Sequence, residues 1–283
     1  MRSKSFVKKY FVFGSVVAFG LAGCASAPLA DHASEPEKSV AETPSDASAT
    51  RASEPAPSTS ASAVALASAS LEPAPSAAPA PSNAPPPRKG TVILHVGDSF
   101  VHSGLTQKLR KHFEALGVRY EVRAEQSTNS LDWSKRVPGE VSAAQPDLVI
   151  VTLGGNEIGS KHLDVQARAI RSIVKSIGDR PCVWTAPPLW MEEEGLFDTL
   201  QQNVGPCRFF ETDRIVGTFI PRRKDNIHPT MEGGALWADK LYDWLMAERT
   251  GDEKKPWLLK PATEDEKTLR GHRGPLPKPE PKP

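Results

Sequence analysis

The sequence lacks an excess of charge of either sign. Its 283 residues include 35 Lys and Arg against 34 Asp and Glu, so the formal net charge at pH 7 is only +1. Proteins that bind nucleic acids usually carry a clear basic excess that neutralises the phosphate backbone. Nucleic acid is therefore excluded as the expected partner, and a small or neutral substrate fits the charge balance better.

Long hydrophobic runs are also missing. The longest apolar stretch, residues 10–23, is too short to cross a bilayer comfortably, since a transmembrane helix needs about 20 residues. It follows the basic residues 1–9, and this order is typical of a secretion signal. The stretch ends in Leu21, Ala22, Gly23 and Cys24, which resembles the bacterial lipobox, where cleavage before a lipidated Cys makes that Cys the first mature residue.

Residues 1–23 are therefore interpreted as a lipoprotein signal peptide and Cys24 as the lipidation site. The protein would then contact the membrane through its amino-terminal lipid, because several acyl chains give stable anchoring. The alternative is an ordinary signal peptide that ends near a Cys by chance. Ala25 is not the Asp associated with inner-membrane retention in Gram-negative bacteria, which favours the outer membrane of a bacterial cell envelope, facing the periplasm.

Aromatic residues are absent between Cys24 and Lys89. Residues 24–89 consist mainly of Ala, Pro and Ser, and such a segment cannot bury enough apolar surface to offset the entropy lost on folding. It is interpreted as a disordered tether. Residues 250–283 are rich in Lys, Glu and Pro and are expected to form a disordered tail. One domain remains, residues 90–249, and about 160 residues is a normal size for a domain with its own core.

Strand and helix patterns alternate within this domain. Residues 91–96 and 148–153 are nearly continuous apolar runs, typical of central strands in a parallel sheet, whereas residues 118–123 alternate and predict an edge strand. Residues 105–116 and 163–177 have the spacing of amphipathic helices. Further short strands and a last helix are expected at residues 182–185, 208–211 and 237–245. The alternation predicts an α/β domain with a doubly wound parallel sheet, whose ligands bind beyond the carboxyl ends of the strands.

Ser99 directly follows the first predicted strand, in the sequence Gly97, Asp98, Ser99. A Ser at the end of a strand is well placed as an exposed nucleophile, and a preceding Gly relaxes the constraints on the backbone. The alternative is a tight turn in which Ser99 caps the next helix.

Two other polar motifs lie at a predicted strand end and in the loop before the last helix. Asn156 follows the third predicted strand after a pair of glycines, and its amide could donate a hydrogen bond to a developing oxyanion. Asp225 precedes His228 by three residues, so the carboxylate could hold Nδ1–H and leave Nε2 free to accept a proton from a serine. Each motif alone is compatible with ordinary loop chemistry, but their joint occurrence in this order favours a serine nucleophile with its base.

The domain resembles the SGNH (GDSL-like) hydrolase family from Gly90 to about Met246. The first family block is matched by Gly97, Asp98 and Ser99, the third by the segment with Gly155 and Asn156, and the fifth by Asp225 and His228. The resemblance implies that Ser99, Asp225 and His228 are catalytic and that Ser99 and Asn156 belong to the oxyanion hole. It also implies a three-layer α/β/α sandwich with a flavodoxin-like sheet, and ester hydrolysis without a metal or cofactor. Asp98 and Gly155 are expected at the substrate-binding surface.

The sequence departs from the family pattern at three positions. Phe100 replaces the common Leu, and Glu157 replaces the common Asp, but neither change removes a catalytic group. The Gly of the second block aligns with Ser127, whose backbone N–H would take over as an oxyanion donor, since every residue except Pro carries one.

The remaining charged residues are given structural roles. Metal-ligand spacing is not evident among the other histidines of the domain, His95, His102, His112 and His162. Residues 192–194, three Glu, are expected to form a solvated loop, and the basic residues 222–224 are either solvated too or favour an anionic glycan.

Cys182 and Cys207 remain as a pair if Cys24 carries lipid. In an oxidising compartment they are expected to form a disulfide; two buried free thiols are the alternative.

Three functions agree with this pattern. The first is a monomeric serine esterase that hydrolyses or transfers acyl groups, with O-acetyl esters of a cell-envelope carbohydrate such as peptidoglycan as the glycan-linked substrate. The second is a lipase or thioesterase that acts on lipid esters. The third is an envelope lipoprotein that keeps the fold without turnover, although the presence of Ser99, Asn156, Asp225 and His228 argues against it.

Overall fold

The computed structural model describes residues 84–268 and 274–280. The predicted signal peptide, the lipidation site Cys24 and most of the predicted tether lie outside these residues. Within the described part of the chain, no helix combines the length and the apolar character needed to cross a membrane.

A five-stranded parallel sheet forms the centre of the domain. Its strands are β1 (Val92–Gly97), β2 (Arg119–Ala124), β3 (Leu148–Thr152), β4 (Cys182–Thr185) and β5 (Arg208–Phe210). Their order across the sheet is β2-β1-β3-β4-β5, which is the flavodoxin-like order of a doubly wound fold. The predicted α/β class and parallel sheet are confirmed, and the edge position of β2 agrees with its alternating sequence.

Helices cover both faces of the sheet. Helices α1 (Gly104–Ala115) and α6 (Met231–Glu248) pack together on one face, while α2 (Ser130–Ala144), α3 (Leu163–Ile177) and α4 (Leu196–Asn203) cover the other. Two short helices, α5 (Thr212–Val216) and α7 (Glu264–Thr268), complete the set. Alternate residues of β3 point into the two cores, because Val149 and Val151 join the α2–α3 side and Leu148 and Ile150 join the α1–α6 side. The three-layer sandwich is therefore confirmed.

Helix α2 is not predicted by the sequence pattern. Pro138 lies inside it, and an internal proline normally weakens a helix because it removes a hydrogen bond. The helix forms because Trp133, Val137 and Val141 bury one face against the sheet. Its start is fixed by Asn129, whose side chain accepts hydrogen bonds from two N–H groups of the first turn.

Residues 250–268 also differ from the prediction, because they pack against the domain. The Trp257 side chain is fully buried, and its indole N–H donates to Thr91 Oγ1 at 3.2 Å. Its ring meets the ring of Phe113 edge-on, and the guanidinium of Arg249 lies over it. The predicted boundary at residue 249 is therefore too early, since a single aromatic residue anchors a segment whose average composition is polar.

A second anchor holds the end of this segment. The nearly buried side chain of Arg208 on β5 pairs with Glu248 at 2.9 Å and with Glu266 at 2.7 Å. On the amino-terminal side, Arg249 donates to the carbonyl oxygen of Pro85 at 2.8 Å. Both flanks of the predicted domain thus contribute to the folded unit.

Cys182 and Cys207 form a disulfide. They lie at the amino ends of the neighbouring strands β4 and β5, with their Cα atoms 4.6 Å apart. The expected bridge is confirmed. It lies at the amino ends of the strands, whereas the candidate site lies at their carboxyl ends.

Candidate active site

Ser99, His228 and Asp225 form one chain of hydrogen bonds. Ser99 Oγ lies 2.8 Å from His228 Nε2, and His228 Nδ1 lies 2.9 Å from Asp225 Oδ2. The carboxylate thereby fixes the tautomer in which Nδ1 carries the proton and Nε2 can accept one. The structure brings together the three residues that the sequence placed at the site.

Ser99 lies at the carboxyl end of β1, where a 3-10 turn (Ser99–His102) begins. Asp98 caps this turn, because its Oδ1 accepts the backbone N–H of Phe100 at 2.9 Å. Gly97 allows the turn to approach the sheet, since a side chain there would collide with the carbonyl oxygen of Thr152 on β3. The turn leaves the Ser99 side chain half-buried and its N–H at the unpaired start of a helical turn.

The histidine loop, residues 217–230, is a compact turn that presents His228. The N–H of Arg223 donates to His228 O at 2.8 Å, and the N–H of Asn226 donates to Arg223 O at 3.0 Å. Asp225 Oδ1 accepts the N–H groups of Ile227 at 2.9 Å and His228 at 3.0 Å. The side-chain hydrogen bond from His228, and secondly the one from the Ile227 N–H, lower the pKa of Asp225 to about 2. Asp225 is therefore ionised at neutral pH.

A close approach of α1 and α6 brings this loop to Ser99. Gly104 begins α1 and Gly234 lies in the first turn of α6. A side chain on Gly104 would collide with the carbonyl oxygen of Met231, and one on Gly234 would collide with the backbone N of Gly104. Because neither residue has a side chain, the starts of both helices meet, and the segments that precede them carry Ser99 and His228.

The predicted oxyanion donors follow the two strands that flank β1. The β2 loop, residues 125–129, is attached to β1 by a hydrogen bond from Glu125 N–H to Gly97 O at 3.1 Å. Ser127 in this loop has a φ of +60°, a left-handed conformation that favours glycine. In the β3 loop, residues 153–162, the exposed Asn156 donates one amide hydrogen to Thr128 O at 2.7 Å. The second amide hydrogen remains for a ligand.

The two residues expected at the substrate-binding surface have other roles. Asp98 is only 1% exposed, so it caps the turn and does not reach solvent. Gly155 is buried beneath Phe100, and a side chain on Gly155 would overlap the Phe100 ring. That ring lies 5.1 Å from the His228 ring, centroid to centroid. Phe100, which departs from the family pattern, thus packs against the imidazole of His228.

Arg222 is a site residue whose role the sequence left open. Its half-buried guanidinium donates to Ile227 O within the histidine loop and to Leu189 O in the β4 loop, residues 186–195. The N–H of Leu189 donates in turn to the buried Asp213 at 2.7 Å, and Trp190 Nε1 donates to Gly155 O at 3.3 Å. Arg222 therefore connects the histidine loop to the β4 loop through hydrogen bonds. Of the three basic residues, only Arg223 and Lys224 are exposed and could bind an anionic glycan.

Two of the other histidines, His95 and His112, have structural partners. His95 is fully buried between Tyr120 and Thr152, and its ring nitrogens lie 2.6 Å and 2.7 Å from their hydroxyl oxygens. Burial lowers its pKa to about 3, so it is neutral. His112 stacks on Tyr242. Within residues 84–268 and 274–280 the structure contains no group of His, Cys, Asp and Glu that could hold a metal ion.

One expectation for a charged loop is wrong. Of the three acids at residues 192–194, Glu193 is only 5% exposed and accepts the backbone N–H of Phe197 at 3.2 Å. It therefore supports the start of α4, while its neighbours remain exposed.

Comparisons with known proteins give distant similarities of fold only. No family model matches the sequence, and no curated protein matches it significantly. A solved structure of TesA is 15% identical, covers 55% of this chain and 98% of its own, and has a TM-score of 0.46. The psychrotrophic esterase EstA from Pseudoalteromonas sp. is 16% identical over 54% and 95%, with a TM-score of 0.44. The acetylxylan esterase Axe2 from Geobacillus stearothermophilus is 17% identical over 56% and 94%, with a TM-score of 0.47. These values carry no information on function, so the site is interpreted from its own geometry.

Proposed function

We propose that this protein is a serine ester hydrolase with Ser99 as the nucleophile. One observation carries the proposal: Ser99 Oγ, His228 and Asp225 are joined by hydrogen bonds of 2.8 Å and 2.9 Å at the carboxyl edge of the sheet. A serine hydroxyl is a weak nucleophile unless an adjacent base takes its proton. This arrangement supplies that base and the carboxylate that orients it.

Acylation moves one proton from Ser99 to His228 and then to the leaving alcohol. Ser99 Oγ attacks the carbonyl carbon of the ester while its proton passes to His228 Nε2, and the carbonyl oxygen becomes an oxyanion. The ionised Asp225 stabilises the imidazolium that forms. When the tetrahedral intermediate collapses, His228 returns the proton to the leaving alcohol, and the acyl group remains bonded to Ser99.

The oxyanion is bound by donors from neighbouring strand ends. We assign this role to the N–H of Ser99, the N–H of Ser127 and the free amide hydrogen of Asn156. Fixed donors of this kind stabilise the charge as it develops, and removal of one typically costs about 3 kcal/mol of transition-state stabilisation. Water, activated by His228, then attacks the acyl-enzyme and releases the acid. An alcohol in place of water would make the same intermediate a transferase step.

The substrate we propose is an O-acetyl ester of a cell-envelope carbohydrate such as peptidoglycan, which the protein reaches as a lipid-anchored monomer. The site is open, since Ser99 is half-buried while Asn156 and Asp225 are exposed, and an open site can admit a polymer. The lipobox-like sequence before Cys24 supports an outer-membrane anchor that faces the periplasm. The Ala, Pro and Ser composition of residues 24–83 supports a tether that lets the domain reach the wall, because a flexible coil of this length spans roughly 45 Å.

The test of this proposal combines two assays on the purified domain. We expect hydrolysis of para-nitrophenyl acetate and release of acetate from O-acetylated peptidoglycan, both lost in Ser99→Ala. Ser142→Ala, at an exposed serine on α2, is the matched control and should behave as the natural protein. A folded protein that hydrolyses no ester would contradict the proposal. It would support the third candidate function, an envelope lipoprotein without catalysis.

A specific observation favours lipid or other long-chain esters as the second candidate. The described residues include three exposed large apolar side chains on segments that flank the site: Leu131 at 44%, Met191 at 39% and Met231 at 42%. They lie at the start of α2, in the β4 loop and at the start of α6. A series of para-nitrophenyl esters from acetate to decanoate separates the candidates. A maximum at acetate supports the glycan ester, whereas a maximum at eight carbons or more that falls in Met191→Ser supports the lipid ester.

The anchor has its own test. Cells that express the full chain are labelled with radioactive palmitate and their membranes are separated. We expect label in the natural protein at the outer membrane and no label in Cys24→Ser. A labelled Cys24→Ser protein would contradict lipidation at this residue.

A further inference from the structure

Thr128 in the β2 loop is a buried polar residue to which the mechanism above assigns no role. It is 5% exposed, whereas the three residues before it are exposed. Its hydroxyl donates to Glu125 O at 2.6 Å and accepts the indole N–H of Trp133 at 2.9 Å. Its backbone carbonyl accepts the side-chain amide of Asn156 at 2.7 Å. Thr128 therefore connects the β2 loop, helix α2 and the β3 loop.

The chemistry of the partners fixes the direction of both hydroxyl contacts. A carbonyl oxygen can only accept a hydrogen bond and an indole N–H can only donate one. The Thr128 hydroxyl must therefore donate to Glu125 and accept from Trp133. Valine has nearly the shape of threonine but can do neither, whereas serine can do both.

The hydrogen bond to Glu125 closes the turn that contains Ser127. Ser127 lies between the two bonded residues with a φ of +60°, a conformation that is unfavourable for a residue with a side chain. Such a conformation persists only where its surroundings fix it. The other end of the turn is attached to β1, since Glu125 N–H donates to Gly97 O at 3.1 Å. The Thr128 hydroxyl is thus the second attachment of the loop that presents the Ser127 N–H.

Helix α2 supplies the rigid reference for this attachment. Trp133 is 2% exposed and belongs to the core between α2 and the sheet, and a close-packed interior leaves such a side chain little freedom. The β3 loop is attached to the same helix, because Glu157 Oε1 accepts the N–H of Ser130 at 2.7 Å and its hydroxyl at 2.6 Å. Asn156, next to Glu157, and Thr128 are therefore both held relative to the start of α2.

We propose that Thr128 is the residue that positions the oxyanion donors. Its hydroxyl holds the Ser127 N–H relative to α2, and its carbonyl orients the Asn156 amide. It is a positioning residue, since none of its contacts is with the reacting groups. The inference rests on the proposed ester hydrolysis for its kinetic tests, but it also has a test that requires no substrate.

The first kinetic test removes the hydroxyl and then restores it. Thr128→Val should lower kcat by about tenfold or more, because displaced groups stabilise the transition state poorly. KM should change by less than about twofold, since the donors act on charge that develops only in the transition state. Thr128→Ser retains both hydrogen bonds, so its kcat should stay within about threefold of the natural value. Thr199→Val removes a comparable hydroxyl-to-carbonyl bond on α4, and this matched control should keep the natural kcat.

A second variant reaches the same hydroxyl from the helix. Trp133→Phe keeps an aromatic ring in the core but removes the N–H that Thr128 accepts. It should lower kcat in the same direction as Thr128→Val, with KM again nearly unchanged. A folded Trp133→Phe protein with the natural kcat would contradict the proposed attachment to α2.

A double-mutant cycle separates positioning from a general loss of structure. If Thr128 acts through Asn156, the effects of the two residues do not add. The loss of kcat caused by Thr128→Val should therefore shrink by at least about threefold when Asn156→Ala is already present. A general disturbance would lower kcat by the same factor in both backgrounds, and that result would contradict the inference.

The test without substrate observes the Asn156 side-chain amide by NMR in the ¹⁵N-labelled protein. Its pair of proton signals is identified by its loss in Asn156→Ala. We expect the pair to move in Thr128→Val toward the positions of an exposed asparagine, because the amide is no longer held. It should keep its natural positions in Thr128→Ser and in Thr199→Val.

The outcomes separate the two proposals. A folded protein without esterase activity, in which Thr128→Val moves the Asn156 signals, contradicts the proposed function and supports the role of Thr128. An active Thr128→Val protein with the natural kcat, or Asn156 signals that stay in place in Thr128→Val, would overturn that role.

Discussion

Ser99 Oγ and His228 Nε2 lie 2.8 Å apart although 129 positions separate the two residues in the chain. Local structure on each side explains the contact: a capped 3-10 turn presents the serine, and the histidine loop presents the imidazole. The meeting of α1 and α6 at Gly104 and Gly234 joins them. The geometry of the proposed catalytic residues thus depends on helix packing as well as on the residues themselves.

The first expectation concerns this unit. Ser99→Ala and His228→Ala should each abolish ester hydrolysis, because nucleophile and base act together and their effects do not add. Asp225→Asn should lower kcat by roughly 10⁴, since a neutral amide favours the wrong imidazole tautomer. Initial rates with para-nitrophenyl acetate provide the measurement. His162→Ala, at an exposed histidine, should keep full activity, and substantial turnover by Ser99→Ala would sink the mechanism.

The grouping of Ser99, Asp225 and His228 could be predicted from the sequence because each lies in a recognisable local pattern. Ser99 comes after a continuous apolar strand, and Asp225 and His228 have the short spacing at which a carboxylate can turn back to an imidazole. The parallel sheet could also be predicted, because its central strands are buried on both faces and their sequences do not alternate between apolar and polar residues. In these cases the residues that the tertiary structure requires also form a pattern that is visible in the local sequence.

Other features depend on contacts that no pattern contains. The spacing of Trp133, Val137 and Val141 is helical, but Pro138 obscures α2 in the sequence. Trp257 lies in a segment whose average composition indicates disorder, and only its contact with Phe113 shows that it is core. Contacts between segments that follow different strands, such as the Phe100 ring over Gly155, depend on tertiary packing. They could not be inferred from residue spacing.

Trp257 leads to the second expectation. Trp257→Ala should lower the free energy of unfolding by about 3 to 5 kcal/mol, the usual cost of removing a large buried aromatic side chain. The next residue offers a matched control, because Leu258 is 42% exposed, and Leu258→Ala should change stability by less than about 0.5 kcal/mol. Urea unfolding of both variants measures the difference. Equal, small effects would show that residues 250–268 do not belong to the cooperative unit.

His95 gives the third expectation, a pH dependence of stability. Its pKa is lowered to about 3 by burial, whereas an unfolded histidine titrates near 6.5. Between these values the unfolded chain binds a proton that the folded protein excludes, so the free energy of unfolding falls as the pH decreases, by at most about 1.4 kcal/mol per pH unit.

The comparison variant is His95→Gln, which can still hydrogen-bond to Tyr120 and Thr152 but does not titrate. Its stability should decline less steeply than that of the natural protein from pH 6 to pH 4, whatever the offset at pH 7. Asp98, whose pKa burial raises to about 8, is unchanged in both proteins, so its opposite pH dependence cancels in the difference. Parallel curves from urea unfolding would contradict a neutral, buried His95.

Ser127 gives the fourth expectation, which separates a backbone role from a side-chain role. If its N–H binds the oxyanion, the side chain is dispensable, and Ser127→Gly should keep the activity. Glycine also adopts the φ of +60° found here without the cost that a side chain adds, which is about 1 kcal/mol. Ser127→Gly should therefore be at least as stable as the natural protein.

Ser127→Pro is the complementary variant. Proline lacks the N–H and is restricted to a φ near −65°, so it removes the proposed donor and disfavours the conformation of the β2 loop. Ser127 is exposed and the helix that follows starts at its own cap, Asn129, so the fold should survive, which circular dichroism can verify. We expect kcat to fall by about 10² or more, the usual loss for one oxyanion donor, while KM changes little. Full activity in a folded Ser127→Pro protein would remove Ser127 from the oxyanion hole and leave Ser99 and Asn156 as its donors.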